Sequence, residues 1–403
     1  MYKNESKVII GKNLKQVEGY KAFIPERFPP KNLSLQGEKL IHLLSTSSLL
    51  LGKLDGLTKL VPDIDFFIFM YIKKEAVLSS QIEGTKAGLT DALHAEVKKV
   101  PELPSDVDDI LYYIEAMNLG FQELNKIPLS LRLIKKIHQR LSTNARSNYF
   151  PYPGEFRKSQ NWITGTNPNN ARFVPPPPHY IASAMTDLEK YFYTNTTVPA
   201  LIKIGLIHAQ FETIHPFIDG NGRTGRLLIT LYLCQEKLLE RPVLYFSEYL
   251  KRNRDLYFDK LDEYRKGNVL SWLEFFLEGI GRVAEEAIET SNKIIELREK
   301  NQQKIMKLGK GTKNADKLLK SLYKLPIINV KKVIEFTGLS REGANKLVKR
   351  FVRLNLLEPK DKNQKYGRIF IYKDYLRLFE DSRYSIQSDL LKNDIFFPIL
   401  TLK

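Results

Sequence analysis

The chain has 403 residues, 43% hydrophobic and 27% charged, so it is long enough for two or three domains with sizeable cores, which excludes a disordered or fibrous polymer. A single cysteine, Cys234, excludes an intrachain disulfide framework and a cysteine-built zinc site; among Leu231, Leu233 and Leu238 it reads as a small buried apolar residue in a reducing compartment. The net charge of +17 is concentrated, since residues 311–378 hold 17 Lys and Arg against 6 Asp and Glu, and a nucleic-acid footprint should be sought there.

The amino terminus lacks an apolar signal core and no later run reaches a membrane span, so a cytoplasmic protein with no membrane partner is expected. Residues 1–30 are polar with scattered aromatics, and Ile24 to Pro30 reads as extended chain. Apolar spacing from Leu33 to Leu60 predicts one or two helices. Pro62-Asp63 signals the start of a further helix, whose stripe Ile64, Phe67, Ile68, Tyr71, Ile72 runs on to Glu83 before a left-handed cap at Gly84. After the loop 100–105, helices are predicted over 105–124 and 130–141. The segment 148–179 is irregular, with Trp162-Ile163-Thr164 and Arg172-Phe173-Val174 as the arms of a short hairpin. An apolar helix over 200–214 delivers the chain to His215, and its His208 is most simply a packed core residue. With no HxxxH, HExxH or cysteine partner nearby, no protein-built zinc site is expected. Helices then follow through Tyr257 and Tyr264, and over 268–280.

A charged helix from Gly281 leads to the glycine-containing break 308–312. Beyond it, predicted helices at 317–325, 330–336 and from Ser340 to about Asn355 precede two strands, 356–359 and 369–372. The fold class is therefore mainly α: an amino-terminal helical region at 1–104, a helical core with a short β-hairpin at 105–280, a connecting helix at 281–311, a basic module at 312–378 and a tail at 379–403.

The stretch from His215 to Arg226 concentrates chemistry. Gly220 and Gly222 flank Asn221 and permit positive φ, so backbone N–H groups can face an anion at the start of the helix that follows. Arg223 and Arg226, three apart, leave one helix face. Asp219 is a hard oxygen ligand suited to Mg²⁺ beside phosphates. His215 is the one side chain here whose ordinary pKa lies near neutrality, fit to take a proton from a hydroxyl. These residues together point to nucleotide phosphate chemistry.

At each specified position the stretch resembles the Fic signature, His-x-Phe-x-Asp/Glu-Gly-Asn-Gly-Arg-x-x-Arg, and eight fixed residues in twelve make chance a poor explanation. The resemblance implies a protein adenylyltransferase moving AMP from ATP to a Ser, Thr or Tyr hydroxyl of a target protein, itself among the candidates. It implies His215 as base, with Arg223 and Arg226 on the leaving phosphates and Phe217, Gly220, Asn221 and Gly222 around the nucleotide. Asp219 would hold Mg²⁺, and Tyr257 and Arg265 would lie near the base. Ser79, Glu83 and Gly84 resemble the family's inhibitory motif, whose glutamate pairs with the second arginine, here Arg226. The hairpin at Trp162, Ile163, Thr164, Arg172, Phe173 and Val174, preceded by Gly154-Glu155-Phe156-Arg157, resembles the flap that holds an extended target segment. The basic module resembles a winged helix-turn-helix, with Arg341, Asn345, Lys346, Lys349, Arg350 and Arg353 outward, as for DNA; protein docking or a homodimer is the other use. Removal of AMP by the same site, and a nucleotide-sensing DNA-binding regulator, are the rival functions.

Overall fold

The computed structural model describes residues 8–33, 35–60, 64–97, 103–142, 152–194, 196–364 and 366–380. The helix-start signal Pro62-Asp63, parts of the loops at 100–105 and 148–151, and the tail beyond 380 lie outside them. Two units are present, Met1–Ile288 and Glu289–Lys403.

Unit 1 opens with an antiparallel hairpin, β1 (Gly11–Lys15) and β2 (Lys21–Pro25), where extended chain was expected. Its polar outer strand hid the alternation; β2 buries Ala22, Phe23 and Ile24, while four of the five β1 residues face solvent. One helix, α1 (Glu38–Leu60), fills the next segment, and α2 (Ile64–Ile82) follows, ending one residue before Glu83; Gly84 has φ +97°, the expected left-handed stop. Neither α3 (Leu89–Val97) nor α6 (Pro178–Tyr193) was anticipated. Helices α4 (Val107–Leu124) and α5 (Leu131–Ser142) match the predicted pair and pack against each other.

The core is built around α7 (Ala200–Ile214), in which every residue from Leu201 onward is buried, and α8 (Asn221–Gln235), which packs beside it. The predicted path through Tyr257 is broken at Asn253 into α9 (Ser247–Arg252) and α10 (Arg254–Arg265). Helix α11 (Val269–Met306) is continuous, so the expected separation of a core helix from a connector at Gly281 is corrected, and the division between units falls inside it rather than at residues 308–312. Its contact with α7 depends on Gly205: a Cβ there would sit 3.0 Å from the Phe276 ring and 3.1 Å from Leu273, and the Gly205 carbonyl accepts a 2.8 Å hydrogen bond from the Trp272 indole. The carboxylate of Glu75 fixes α2 to the start of α9, accepting from the Ser247 backbone N–H at 2.9 Å and from its hydroxyl.

Unit 2 continues from α11 through a 3₁₀ turn (Gly309–Gly311) into α12 (Thr312–Lys324), β3 (Ile327–Asn329), α13 (Val330–Thr337), α14 (Arg341–Arg353), β4 (Glu358–Pro359), β5 (Ile369–Ile371) and α15 (Lys373–Leu376). Asn329 and Ser340 cap α13 and α14 by accepting from Lys332 N and Gly343 N, and Gly338 closes α13 at φ +72°. The sheet has three strands in the order β3-β5-β4, one more than expected. Among the described residues no helix is long and apolar enough to cross a membrane.

Gly205→Leu should overpack the α7–α11 contact and cost about 1–3 kcal/mol of unit 1 stability, read by urea denaturation of the full chain.

Candidate functional site

Helix α7 ends on His215 itself, held in the left-handed region at φ 51°, ψ 60°, while its N–H still closes the helix onto the Phe211 carbonyl at 2.9 Å. Five residues later Gly220, at φ +74°, opens α8. The loop between is fixed from within. Asn221 accepts from the Phe217 N–H and donates to the Phe217 carbonyl, both at 2.8 Å, and is 1% exposed. Phe217 is fully buried and stacked on His138 at 3.7 Å with rings 3° apart. Both were expected around the nucleotide; their side chains form the loop's internal brace. Gly222 is corrected too: it is helical, and its missing side chain makes room rather than a turn.

Two residues absent from the predicted site hold the loop from outside. His138 Nδ1 accepts from Gly154 N–H at 3.0 Å, which leaves Nε2 to donate to the Asp219 carbonyl at 2.9 Å. Burial lowers its pKa to about 4, consistent with this neutral tautomer. Arg157 donates from Nε to the His215 carbonyl at 2.9 Å, from Nη1 to Ser159 O at 3.1 Å and from Nη2 to Pro176 O at 2.5 Å; its own N–H bonds Pro216 O. Its position in the Gly154–Arg157 element was the available signal; for His138 the signal was a histidine on the apolar face of α5.

The His215 side chain is 18% exposed. Burial first, then the Arg157 and Arg265 charges, lower its pKa to about 3, so at neutral pH it is an uncharged proton acceptor. Its Nδ1 is enclosed without a hydrogen-bond partner, 3.9 Å from Glu212 Oε2. Glu212, unflagged although it is an acid in an apolar helix, is buried against Gly225, and burial raises its pKa to about 7.

Arg223 and Arg226 enter the site with different partners. Arg223 lies 3.7 Å from Asp109 and 3.9 Å from Asp219, and its buried Nε has no hydrogen-bond partner. Arg226, 2% exposed, is fully engaged by the end of α2: Nε donates to Ser79 Oγ and Nη2 to Ser79 O, both at 2.9 Å, and Nη2 donates to Glu83 Oε1 at 2.7 Å. Burial alone would raise the Glu83 carboxyl, but Arg226, with Arg223 and His215, outweighs it and holds the pKa below the ordinary value. A Cβ on Gly222 would overlap Glu83 Oε1, so the close approach of this carboxylate requires glycine there. Asp219 has 55% of its side chain exposed; among the described residues no group of three or more His, Cys, Asp or Glu could hold a metal.

Tyr257 and Arg265, expected near the base, both have partners within the protein. Tyr257 is 1% exposed and its hydroxyl meets His208 Nε2 at 2.9 Å, because the helical spacing of α10 turns its tyrosines inward. His208, with Nδ1 also 3.1 Å from Gly225 O, is the packed core residue expected. Arg265 pairs with Asp262 at 2.8 Å and lies over the Phe173 ring at 3.7 Å. The hairpin arms meet in a single bridge, Ile163 to Phe173, with Trp162 39% exposed and Thr164 at the turn (φ 55°). Arg172 is held by Asp259 and Asp262 at 2.6 and 2.7 Å, and the Val174 carbonyl accepts from Phe23 N–H at 2.9 Å. In unit 2, Arg341, Asn345 and Lys349 line one cavity of about 700 Å³ with Lys331, Arg353 and Arg368, and no described lining residue is acidic. Lys346 is not among them; it pairs with Glu342 at 2.6 Å.

The profile described as Fic/DOC family matches residues 128–233, and that described as Fic/DOC family N-terminal matches residues 41–122. A probable protein adenylyltransferase of Aquifex aeolicus is 28% identical over 212 residues, covering 51% of this chain and 59% of that protein. Protein adenylyltransferase Fic of Drosophila yakuba is 28% identical over 173 residues, covering 41% of this chain and 32% of that protein, so this chain spans well under two thirds of either relative. Among solved structures, a Fic family protein from Desulfovibrio desulfuricans aligns with a TM-score of 0.55 at 18% identity, over 84% of this chain and 97% of that one. A Fic domain containing signaling protein from Bacteroides thetaiotaomicron gives 0.50 at 18% identity, over 63% of this chain and 97% of that one. The loop from His215 to Arg226 lies within one matched segment and Glu83 within the other, and the chain belongs to the Fic/DOC family.

Proposed function

We propose that the chain is a cytoplasmic protein adenylyltransferase, held at low basal activity by Glu83. The reading is supported by one juxtaposition above all: an uncharged His215 at the end of α7 and a cationic Arg226 at the start of α8, with an acid from a distant helix seated on that arginine. The relatives' names supply the reaction class. A hydroxyl oxygen of a target Ser, Thr or Tyr would attack the α-phosphorus of ATP, giving its proton to His215, while the bond to the β-phosphate breaks and pyrophosphate leaves. The N–H groups opening α8 and the Arg223 guanidinium, whose Nε lacks a partner, are suited to the phosphates. Gly222 leaves room beside the start of α8, which the Glu83 carboxylate occupies. Such transfer rests on positioning and on charge stabilisation, which is what these fixed groups offer.

Magnesium fits the donor set in a limited way. Asp219 gives one exposed hard oxygen, and Mg²⁺ ordinarily takes one or two carboxylates with water and substrate phosphates. Bound there with ATP, it would neutralise phosphate charge. An anionic phosphate reaching Arg226 would compete with the Glu83 carboxylate, which accepts from Nη2, while Nε is held by Ser79. The flap would present the target segment by main-chain pairing.

For unit 2 we propose a winged helix-turn-helix that holds nucleic acid. The supporting observation is the cavity beside α14, rimmed by cations and without a described acidic residue.

In an assay with ATP labelled on the α-phosphate, Glu83→Gly should raise transfer onto protein about tenfold or more, and His215→Ala in that background should lower it by about 10²–10⁴. No adduct from Glu83→Gly sinks the reading; release of AMP from a modified target by wild type alone would favour the removal reaction. Because the Glu83 pKa is depressed, its ion pair is fully present above the ordinary glutamate value and is lost only as pH falls through the lower folded value. The rate ratio of Glu83→Gly to wild type should therefore be the same at pH 5.5 and pH 8, within about twofold. Lys349→Glu should weaken a gel shift of random-sequence duplex DNA by about tenfold at low salt, and no shift by the parent chain would remove the nucleic-acid reading.

A further inference from the structure

The flap is not an isolated hairpin. Its second arm, Arg172 to Val174, is gripped on two sides. On one side α10 holds it: Asp259 and Asp262 pair with Arg172, and the Arg265 guanidinium lies over the Phe173 ring. On the other lies β2 of the amino-terminal hairpin. Phe23 donates its N–H to the Val174 carbonyl at 2.9 Å, and its ring lies 5.7 Å from that of Phe173. Phe23 is 5% exposed and Phe173 9%, so this contact is a small closed core between the hairpin and the flap. Gly11 of β1 belongs to it, since a Cβ there would overlap the Ile24 carbonyl and the Phe23 ring. The first arm differs: only Ile163 is bridged to the second arm, and Trp162 remains 39% exposed.

We propose that the amino-terminal hairpin is part of the target-docking apparatus, with Phe23 as a positioning residue, and that Trp162 to Thr164 is the edge left for the target. A two-residue bridge joined by so few hydrogen bonds is too small to hold its own shape in water. Burying Phe173 between Phe23 and Arg265 presets the arm, so that the entropy of ordering the flap is removed before a target arrives. The same contact excludes the second arm as the receiving strand, because the Val174 carbonyl is already taken. In antiparallel pairing the residue before a bridged one turns its N–H and C=O groups outward, which places those of Trp162 on the open side, while Thr164 begins the turn. The partner is an extended polypeptide segment carrying the hydroxyl to be modified.

This inference rests on the transferase reading, and the test separates the two. Phe23→Ala and Phe23→Leu would be made in full-length Glu83→Gly protein. Three quantities would be measured: amide hydrogen exchange, ATP binding by calorimetry, and transfer of labelled AMP onto the proteins of a cell lysate. Phe23→Ala should speed exchange across residues 162–174 by about tenfold or more, while exchange in α7 and α8 and the affinity for ATP stay within about twofold. Transfer should fall about tenfold, and Phe23→Leu, which keeps most of the buried volume, should recover most of it. Should Phe23→Ala unfold the whole chain, Leu14→Pro in the exposed strand β1, opposite Ala22, removes a rung of the hairpin without emptying the core and is read in the same way. Unchanged exchange at 162–174 overturns the proposal, and so does faster exchange there with undiminished transfer. If the Glu83→Gly parent transfers nothing, the transferase reading fails, while the exchange result still decides whether the hairpin sets the flap.

Discussion

One guanidinium joins the two halves of unit 1. Arg226 is rooted in the first turns of α8, where the loop from His215 ends, and its nitrogens are spent on Ser79 and Glu83 at the far end of α2. Because Arg226 is 2% exposed, its charge has little water to fall back on, and an unpaired cation there would be costly. The end of α2 is therefore both a structural neighbour and an electrostatic requirement. That helix is itself anchored through Glu75 to α9, so its end is built into the core rather than laid on it. What remains adjustable is the Glu83 side chain, 42% exposed beyond the helix end.

Around this pair, burial sets the protonation of nearly every group. His138 and His215 are driven to low pKa, and Glu75 and Glu212 are driven up to about 7, with desolvation as the largest cause in each case. The interior thus disfavours charge on these histidines and these two acids while retaining it on Arg226, whose delocalised guanidinium ion loses less on leaving water. A neutral base beside fixed cations suits a reaction in which a proton leaves and negative charge gathers on phosphate.

Much of this could be seen in the residues. The local spacing His215–Arg226 announced a base, a carboxylate and two arginines at a helix start, and α8 does begin at Asn221. Ser79 and Glu83, a helical turn apart before Gly84, do meet Arg226. What could not be seen is which way a side chain faces when both faces of an element are buried. Phe217 and Asn221 turn inward to brace the loop, because α7 and α8 present no solvent side that periodicity could reveal, whereas Tyr257 turns inward to His208 as the spacing of the half-exposed α10 requires. The amino-terminal hairpin was missed for a different reason: β1 is nearly all exposed, so its strand character depends on pairing with β2 and has no alternation of its own. The change to a charged pattern from Gly281 misled in a third way, since a helix that leaves the core changes its surface composition without ending.

Gly222 carries a consequence for how such a protein can change over generations. The space left by its absent side chain admits the restraining carboxylate, and it stands beside the place proposed for the phosphates. A larger residue there would evict Glu83 and at the same moment crowd the nucleotide. Under the proposed restraint, release by this route would be self-defeating, so heritable gain of activity would be channelled to the α2 side of the contact, where restraint and chemistry would be carried by different residues.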